Sequence, residues 1–128
     1  MMEKRKRVFT SFAIEDQLLS IFLHGQARNE ASPFDFVDMS VKEPWDNAWK
    51  TNCRTRIKGC DGLIAIITKN TPKADGQLWE IRCAYEEEIP VMLMYGSDDR
   101  PASLPLILQG KRINIWSWEN IKAFIERL

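Results

Sequence analysis

Residues 62–68 read GLIAIIT, an almost unbroken run of apolar side chains in the middle of the chain. A strand with one solvated face alternates apolar and polar residues, whereas this run contains no polar side chain before Thr68. Continuous apolarity means that both faces of the strand are covered, which is typical of a central strand in a parallel sheet. The stretch therefore predicts an α/β fold with helices on both faces of the sheet.

The segments on either side alternate between strand and helix. Four further strands are predicted in short β-rich runs, at residues 8–12, 34–37, 90–95 and 112–115. Four helices are predicted from apolar residues at helical spacing, at residues 15–28, 46–58 and 76–88 and after Ser117. Without internal repeats or linkers, this order predicts a single domain over residues 1–128 with right-handed crossovers. About five strands fit the flavodoxin-like type, with strand order 2-1-3-4-5.

Two helices have apolar stripes that we expect to face the sheet. In the first helix the stripe is formed by neighbouring residues at i, i+4 spacing, Leu18, Leu19, Phe22 and Leu23. In the third helix the stripe is Leu78, Ile81, Ala84 and Tyr85. In this architecture ligands bind beyond the carboxyl ends of the strands, where the strand order reverses. Three loops should therefore frame any site, at residues 11–16, 38–45 and 68–79.

Composition excludes several function classes. Eighteen basic and eighteen acidic residues cancel, so nothing indicates binding to nucleic acid or to an anionic membrane. The basic N-terminus leads into a strand rather than a long apolar segment, and the apolar runs are too short to span a bilayer, so we expect a soluble cytoplasmic protein. Three cysteines without a CxxC pair, and one histidine, argue against a disulfide framework and against a metal site.

Familiar nucleotide motifs are missing. The sequence contains neither GxGxxG nor GxxxxGK[ST], which excludes a dinucleotide fingerprint and a P-loop. The turn after the first strand reads SFAIED and lacks the glycine of a flavodoxin phosphate loop. Thr68 stands where a phosphoacceptor receiver would have an aspartate. The site must therefore use other residues.

Four segments, in order, resemble a known family. They are RVFTSFAIED at residues 7–16, FDFVDMS at 34–40, IKGCDGLIAIIT at 57–68 and LWEIRCAYEEEIPVMLMY at 78–95. Together they are similar to TIR-like domains, specifically the bacterial branch that includes the Thoeris defence TIR proteins. The family contains enzymes that cleave the bond between nicotinamide and ribose in NAD, and also members that act as interaction scaffolds.

The resemblance implies a substrate, a site and partners. NAD would be the substrate, with no cofactor and no metal, and the matching position makes Glu80 the catalytic residue. The product would be ADP-ribose or a cyclic form that activates a partner effector in antiphage defence, and the chain would self-associate. Family members often carry a tryptophan four residues before the glutamate, where this chain has Gly76. The aromatic contact is then either reduced or supplied by Trp79 or another ring.

The residues themselves make this chemistry reasonable. Cleavage passes through an oxocarbenium-like transition state that a carboxylate stabilises, and nicotinamide leaves without needing a general acid. We expect Glu80 in or near the first turn of its helix, where the dipole favours the ionised form. It should point about 200° away from Leu78, outside the apolar stripe. The following glutamates, Glu86, Glu87 and Glu88, are expected to be solvated charge.

Each remaining candidate has a functional and a structural interpretation. Phe12 either packs on the substrate or belongs to the core, and Asp38 and Ser40 either bind ribose or phosphate or form a turn. Trp45 and Trp49 either stack on adenine or anchor the core, which we favour. Asp16 is expected to cap the first helix. The predicted substrate-binding residues are Ser11, Phe12, Asp38, Ser40, Trp45, Trp79 and Cys83. Two alternatives stay open: an interaction module without turnover, and a nucleotide sensor without catalysis.

Overall fold

The computed structural model describes residues 5–32, 34–39 and 41–128, and these form a parallel sheet with helices on both faces. The strands are β1 Lys6–Ser11, β2 Phe34–Val37, β3 Gly62–Ile67, β4 Val91–Tyr95 and β5 Ile113–Asn114. The helices are α1 Gln17–Asn29, α2 Asn47–Lys58, α3 Asp75–Glu86 and α4 Trp118–Glu126. The strand order is β2-β1-β3-β4-β5, and every pairing is parallel. The predicted fold class and strand order are confirmed.

Strand β3 is the centre of the sheet, as its sequence predicts. All six of its residues are buried. Leu63, Ala65 and Ile67 pack into the core on the side of α2 and α3. Ile64 and Ile66 pack into the core on the side of α1 and α4. Because alternate residues of one strand enter two separate cores, a continuous apolar run was required.

The predicted apolar face of α1 is wrong in part. Leu18 and Phe22 are 60% and 56% exposed, whereas Ser20, Leu23 and Ala27 are the buried positions. The inward face follows the spacing of these three residues, which also have a helical period. Small side chains at two of the positions let the helix lie close to the sheet. Leucine and phenylalanine at 18 and 22 consequently point outward.

Gly96, directly after β4, lies in a tight contact that gives a stability prediction. A Cβ atom there would come within 2.7 Å of Ile66 Cγ2 and 2.8 Å of Leu19 Cδ1. Gly96→Ala is therefore expected to lower the free energy of unfolding by about 1–3 kcal/mol, through overpacking. Gly25 in α1 is the matched control, because a Cβ atom added there would meet nothing within 4 Å. Gly25→Ala should instead raise stability by about 0.5–1 kcal/mol in urea denaturation, and equal losses in both variants would contradict the contact.

Candidate functional site

Glu80 lies inside the molecule, beyond the carboxyl end of β1. Since α3 begins at Asp75, Glu80 falls in the second turn of the helix rather than the first. Its side chain is fully buried, which corrects the prediction that it points away from the core. The inward face of α3 is centred on Glu80, Ile81 and Ala84, while Leu78 is half-buried to one side. The true phase of the helix therefore turns Glu80 towards the sheet.

Three side chains from distant parts of the sequence contact the Glu80 carboxylate: Cys53 Sγ lies 4.0 Å from Oε2, and two polar groups make shorter hydrogen bonds. The Ser11 hydroxyl, at the end of β1, donates a hydrogen bond to Oε1 at 2.8 Å. The Lys42 ammonium donates to Oε2 at 2.7 Å and forms an ion pair with it. The Lys42 side chain is itself only 6% exposed. Because both charges are withdrawn from water, each depends on the other for compensation.

Burial dominates the electrostatics of Glu80. Loss of hydration raises the pKa of Glu80 to about 7, against the opposing effects of the Lys42 charge and of the hydrogen bonds from Lys42 and Ser11. The favourable helix dipole that we predicted does not apply, because it acts within the first turn of a helix and Glu80 lies in the second. Glu80 changes its protonation state near neutral pH. A group of this kind, poised between acid and carboxylate, is typical of functional sites.

This pKa predicts a pH dependence of stability. The folded value of about 7 exceeds the ordinary value of 4.5, so the folded state holds the Glu80 proton more tightly than the unfolded state. The contribution of Glu80 to stability is complete below pH 4.5 and is lost as pH rises through about 7. The loss is on the order of 3 kcal/mol.

Glu80→Gln should remove this loss. We expect the wild type minus variant difference in unfolding free energy to fall between about pH 5 and pH 8, in urea titrations at each pH. Subtracting the variant cancels other titrating groups. A difference that does not vary with pH would contradict the raised pKa.

Lys42 is the site residue that sequence reasoning missed. It is the one basic residue in the loop DMSVKEPW, residues 38–45. That loop was predicted to frame the site, and the presence of a single basic residue in it was the available signal. Gly76 makes room for it, because a Cβ atom at Gly76 would lie 3.0 Å from Lys42 Cβ. The position at which the family often has tryptophan is therefore covered here by the Lys42 side chain.

Polar contacts beyond the strands fix the surrounding loops. Gln77 Nε2 donates to the backbone oxygens of Ile66 at 2.7 Å and Ser11 at 3.2 Å, so α3 is tied to both β1 and β3. Asp16 was expected to cap α1 but makes no side-chain cap. It is buried, and accepts hydrogen bonds from the Thr68 hydroxyl and, at 2.9 Å, from Asn70 Nδ2. Two of the three predicted loops are thereby joined.

The predicted substrate-binding residues separate into two groups. Ser11 and Phe12 lie with Glu80, and the Lys42 ammonium sits 4.2 Å from the centre of the Phe12 ring. Phe12 is 1% exposed, so it belongs to the core in this structure. Cys83 is also buried, and burial raises the pKa of its thiol to about 11, so it stays protonated.

Among the described residues, the remaining candidates do not hydrogen-bond to the carboxylate. Trp45 is 77% exposed, contrary to the favoured core role, whereas Trp49 is buried as predicted. The Trp79 ring packs 5.8 Å from that of Trp49, centre to centre. Asp38 is half-buried, and its backbone oxygen accepts from Arg56 at 2.7 Å. Ser40 lies outside the described residues.

Two cavities flank the exposed end of the 38–45 loop. The larger, of about 460 Å³, lies between α2 and α3 and includes Trp45, Lys50, Trp79 and Arg82 in its walls. The smaller, of about 210 Å³, opens beside Lys42, Gly76 and Gln77. Pro44 and Trp45 line both, whereas Glu80 lines neither. The loop therefore separates the carboxylate from the open space around it.

The surface glutamates of α3 behave differently from Glu80. Arg54 of α2 pairs with Glu86 at 2.8 Å and with Glu87 at 2.9 Å. The Glu86 side chain is 51% exposed, so the expectation of surface charge holds for it. Within the part of the chain that the structure describes, no three His, Cys, Asp or Glu side chains are grouped to hold a metal ion. Nor is any helix of these residues long and apolar enough to cross a membrane.

The fold of the chain is similar to that of a solved structure. The chain is similar to the TIR domain of the Toll-related receptor TRR-2 from Hydra magnipapillata, with a TM-score of 0.60. The match covers 94% of this chain and 91% of that one, at 16% sequence identity. The chain has a TIR-domain fold. No protein-family model matches the sequence of this TIR-like chain, and no curated protein matches it either.

Proposed function

We propose that this TIR-like chain is an NAD nucleosidase whose catalytic carboxylate is Glu80. The observation that carries the proposal is a wholly buried glutamate at the carboxyl edge of the sheet, which accepts a hydrogen bond from Ser11. Burying a carboxylate is energetically costly, and buried carboxylates with shifted pKa values are concentrated at functional sites. The surrounding segment, LWEIRCAYEEEIP, also resembles the catalytic segment of TIR enzymes.

The chemistry needs few groups. The bond between ribose C1′ and the nicotinamide nitrogen breaks, and its electron pair stays on nicotinamide, which leaves as a neutral molecule. Positive charge develops on the ribose, and the Glu80 carboxylate stabilises it. Water then attacks C1′ to give ADP-ribose and a proton. In a cyclising reaction, a nucleophile of the same ADP-ribose attacks instead. A low-dielectric site strengthens the attraction between carboxylate and cation.

Residues 41–45 must move for this reaction to occur. Glu80 is fully covered, and one of its two oxygens is occupied by Lys42. Opening the loop would connect Glu80 with the cavity beside Gly76 and Gln77. Assembly of several copies is one way to favour the open loop, and the proposal includes activity that depends on protein concentration. We favour a cyclic ADP-ribose as the product, and antiphage defence, in which that product activates an effector, as the biological role.

The test is chromatography of nucleotides after incubation with NAD over a wide range of protein concentration. The proposal expects nicotinamide in equal amount to the NAD lost, together with ADP-ribose or a cyclic isomer. The retention and mass of the second product identify which. Absence of nicotinamide at every protein concentration, including samples shown to be assembled, would refute the proposal.

A second candidate, an interaction module without turnover, is favoured by one surface. Four large apolar side chains around α1 are exposed: Ile14, Leu18, Ile21 and Phe22, at 47%, 60%, 55% and 56%. Leu18, Ile21 and Phe22 are three or four residues apart in α1, so they share one face of the helix, and an exposed apolar face is typical of a protein contact. Sedimentation at increasing concentration would detect self-association, and Phe22→Ser should weaken it. Self-association without nicotinamide release would favour this candidate over the enzyme.

A further inference from the structure

We propose that a cavity at the outer edge of β4 is a binding site for a small ligand that carries a diphosphate group. The cavity lies between β4, β5 and α4, and its cationic side chains are Lys111, Arg112 and Arg127. None of its lining residues belongs to the candidate site around Glu80. The proposal therefore does not rest on the proposed function.

The cavity forms because β5 is too short to cover β4. Strand β5 has two residues, which pair with Leu93 and Met94, whereas β4 begins at Val91. No strand of the described residues pairs with this side of β4 at Val91 and Met92. The uncovered edge is one wall of a space of about 390 Å³, which is within the size range of small-ligand sites.

The charged lining of the cavity is entirely cationic. Lys111 and Arg112 precede β5 and Arg127 follows α4, so three positive charges from two chain segments face one space. No Asp or Glu of the described residues lines it. The two cavities beside the 38–45 loop differ, because both include Asp75 among their lining residues. In a chain whose basic and acidic residues cancel, this is a local excess of positive charge.

The three cations are not neutralised by the protein. None of the ion pairs formed within residues 5–32, 34–39 and 41–128 includes any of them. The nearby acidic end of α3 pairs with Arg54 of α2 instead. The Lys111 ammonium lies 4.6 Å from the centre of the Tyr85 ring, and this cation–π contact holds it at the cavity wall. The positive charges are therefore available to a ligand.

Helix α4 presents one face to the cavity. Its lining residues Asn120, Ala123, Phe124 and Arg127 are mostly three or four positions apart, which places them on the same side of the helix. Lys122 of the same helix is exposed but does not line the cavity. The basic residues of α4 are thus divided between a concave surface and open solvent, which provides a matched control.

Two amide side chains add neutral donors to the same space. Asn114 Nδ2 donates to the Leu93 oxygen at 3.1 Å, and Asn120 Nδ2 donates to the Ile115 oxygen at 2.9 Å. These bonds fix both amides at the cavity wall. Each amide nitrogen carries two N–H groups, so a second donor on each is left for a ligand.

A diphosphate matches this set of donors. Each guanidinium is a planar fork that can bind two oxygens of one phosphate group, and the lysine ammonium binds as a point charge. Two arginines and one lysine therefore suit two adjacent phosphate groups better than a single carboxylate. Because Lys111 already lies over the Tyr85 ring, recognition rests on the phosphate groups rather than on stacking of an attached base.

The first test is titration calorimetry with inorganic pyrophosphate. The wild type should show saturable binding, and Arg112→Gln and Arg127→Gln should each weaken it about tenfold or more, through loss of charge-assisted hydrogen bonds. Lys122→Gln removes the same charge outside the cavity and should change the affinity less than about twofold. All three side chains are exposed, and circular dichroism checks that the variants fold. No saturable binding, or equal weakening by all three variants, would overturn the proposal.

The second test locates the ligand and identifies its source. Pyrophosphate should slow acylation of Lys111 and leave Lys122 unchanged, in peptide mass spectrometry; equal protection of both lysines would overturn the proposal. Adenosine diphosphate is titrated in parallel, and loss of its binding in Arg127→Gln would support the site. Tighter binding than pyrophosphate then indicates a nucleotide as the source, and equal binding indicates the diphosphate alone. A tetraglutamate peptide that binds as tightly as pyrophosphate would overturn the phosphate assignment in favour of an acidic peptide.

Pyrophosphate contains neither nicotinamide nor ribose, so this result and the NAD assay are independent. Pyrophosphate binding without NAD cleavage would support the site and leave the nucleosidase refuted. NAD cleavage by a chain that does not bind pyrophosphate would support the nucleosidase and overturn the site.

Discussion

Glu80→Gln is expected to lower nicotinamide release from NAD by about 100-fold to 1,000-fold, the usual effect of removing one electrostatic contact to a transition state. Glutamine keeps the shape of the side chain and accepts the Ser11 hydrogen bond, but it has no charge to stabilise the cation on ribose. Initial rates at saturating NAD measure the effect. Because the variant retains the shape of the side chain, we expect kcat to fall while the KM for NAD changes little.

Two controls accompany the Glu80 variant. Glu86→Gln alters a 51%-exposed carboxylate on the same helix and should leave turnover within about twofold. Circular dichroism of Glu80→Gln should show a folded domain, because Lys42 lies on a loop and its ammonium can move into water. Equal activity of wild type and Glu80→Gln would exclude a catalytic role for Glu80, even if the protein cleaves NAD.

Lys42→Met is expected to lower the free energy of unfolding by up to about 2 kcal/mol near about pH 8.5, the cost of protonating a buried Glu80 whose pKa is about 7. Methionine keeps most of the volume, so the loss comes from charge. Glu80 stands on a helix and cannot turn to solvent, and it would be left buried without its partner. At about pH 5.5 the loss should shrink, because Glu80 then takes up a proton in the folded state. Urea titrations at the two pH values measure the difference.

Two further variants separate charge from packing at Lys42. The double variant Lys42→Met with Glu80→Gln should recover most of the stability lost at high pH, since no buried charge remains. Lys69→Met removes a lysine from an exposed pair with Asp99, whose side chains are 64% and 73% exposed. It should cost at most about 1 kcal/mol. A loss at Lys42 that is the same at both pH values would show that packing, not charge, is responsible.

The architecture was predictable because its signals are local. The apolar run of β3 requires cover on both faces, and the alternation of segments around it leaves few topologies. The same reasoning predicted a candidate site framed by three loops, two of which contain Ser11 and Lys42. The binding of NAD by those loops stays a prediction, which the nicotinamide assay tests.

The burial of Glu80 was not predictable, because its cause is not local. Its partners Ser11, Lys42 and Cys53 are 69, 38 and 27 residues away in the chain, and no periodicity predicts such contacts. The prediction placed Leu78 on the inward face of α3, and a residue two positions later then points outward. In the structure the polar residues Gln77 and Glu80 are buried instead, because β1, β3 and the 38–45 loop supply them with hydrogen-bond partners.

The prediction for α1 failed in the opposite direction, because apolar residues that we expected to be buried are exposed. Leu18 and Phe22 have the spacing of core residues, and hydrophobicity alone does not distinguish a core face from a surface that contacts another molecule. The buried positions of this helix instead include Ser20 and Ala27, whose small size suits close packing on the sheet. Helix α1 has more large apolar residues than its buried face uses, which indicates a second apolar face that is exposed.

The most direct measurement of the central claim is nicotinamide release from NAD by assembled wild-type protein, beside the Glu80→Gln variant at the same concentration. Liquid chromatography follows nicotinamide and its nucleotide co-product in the same samples. We predict release in equal amount to the NAD consumed by the wild type, and release reduced about 100-fold or more in the variant. No release by the assembled wild type, or the same rate in both proteins, would contradict the claim.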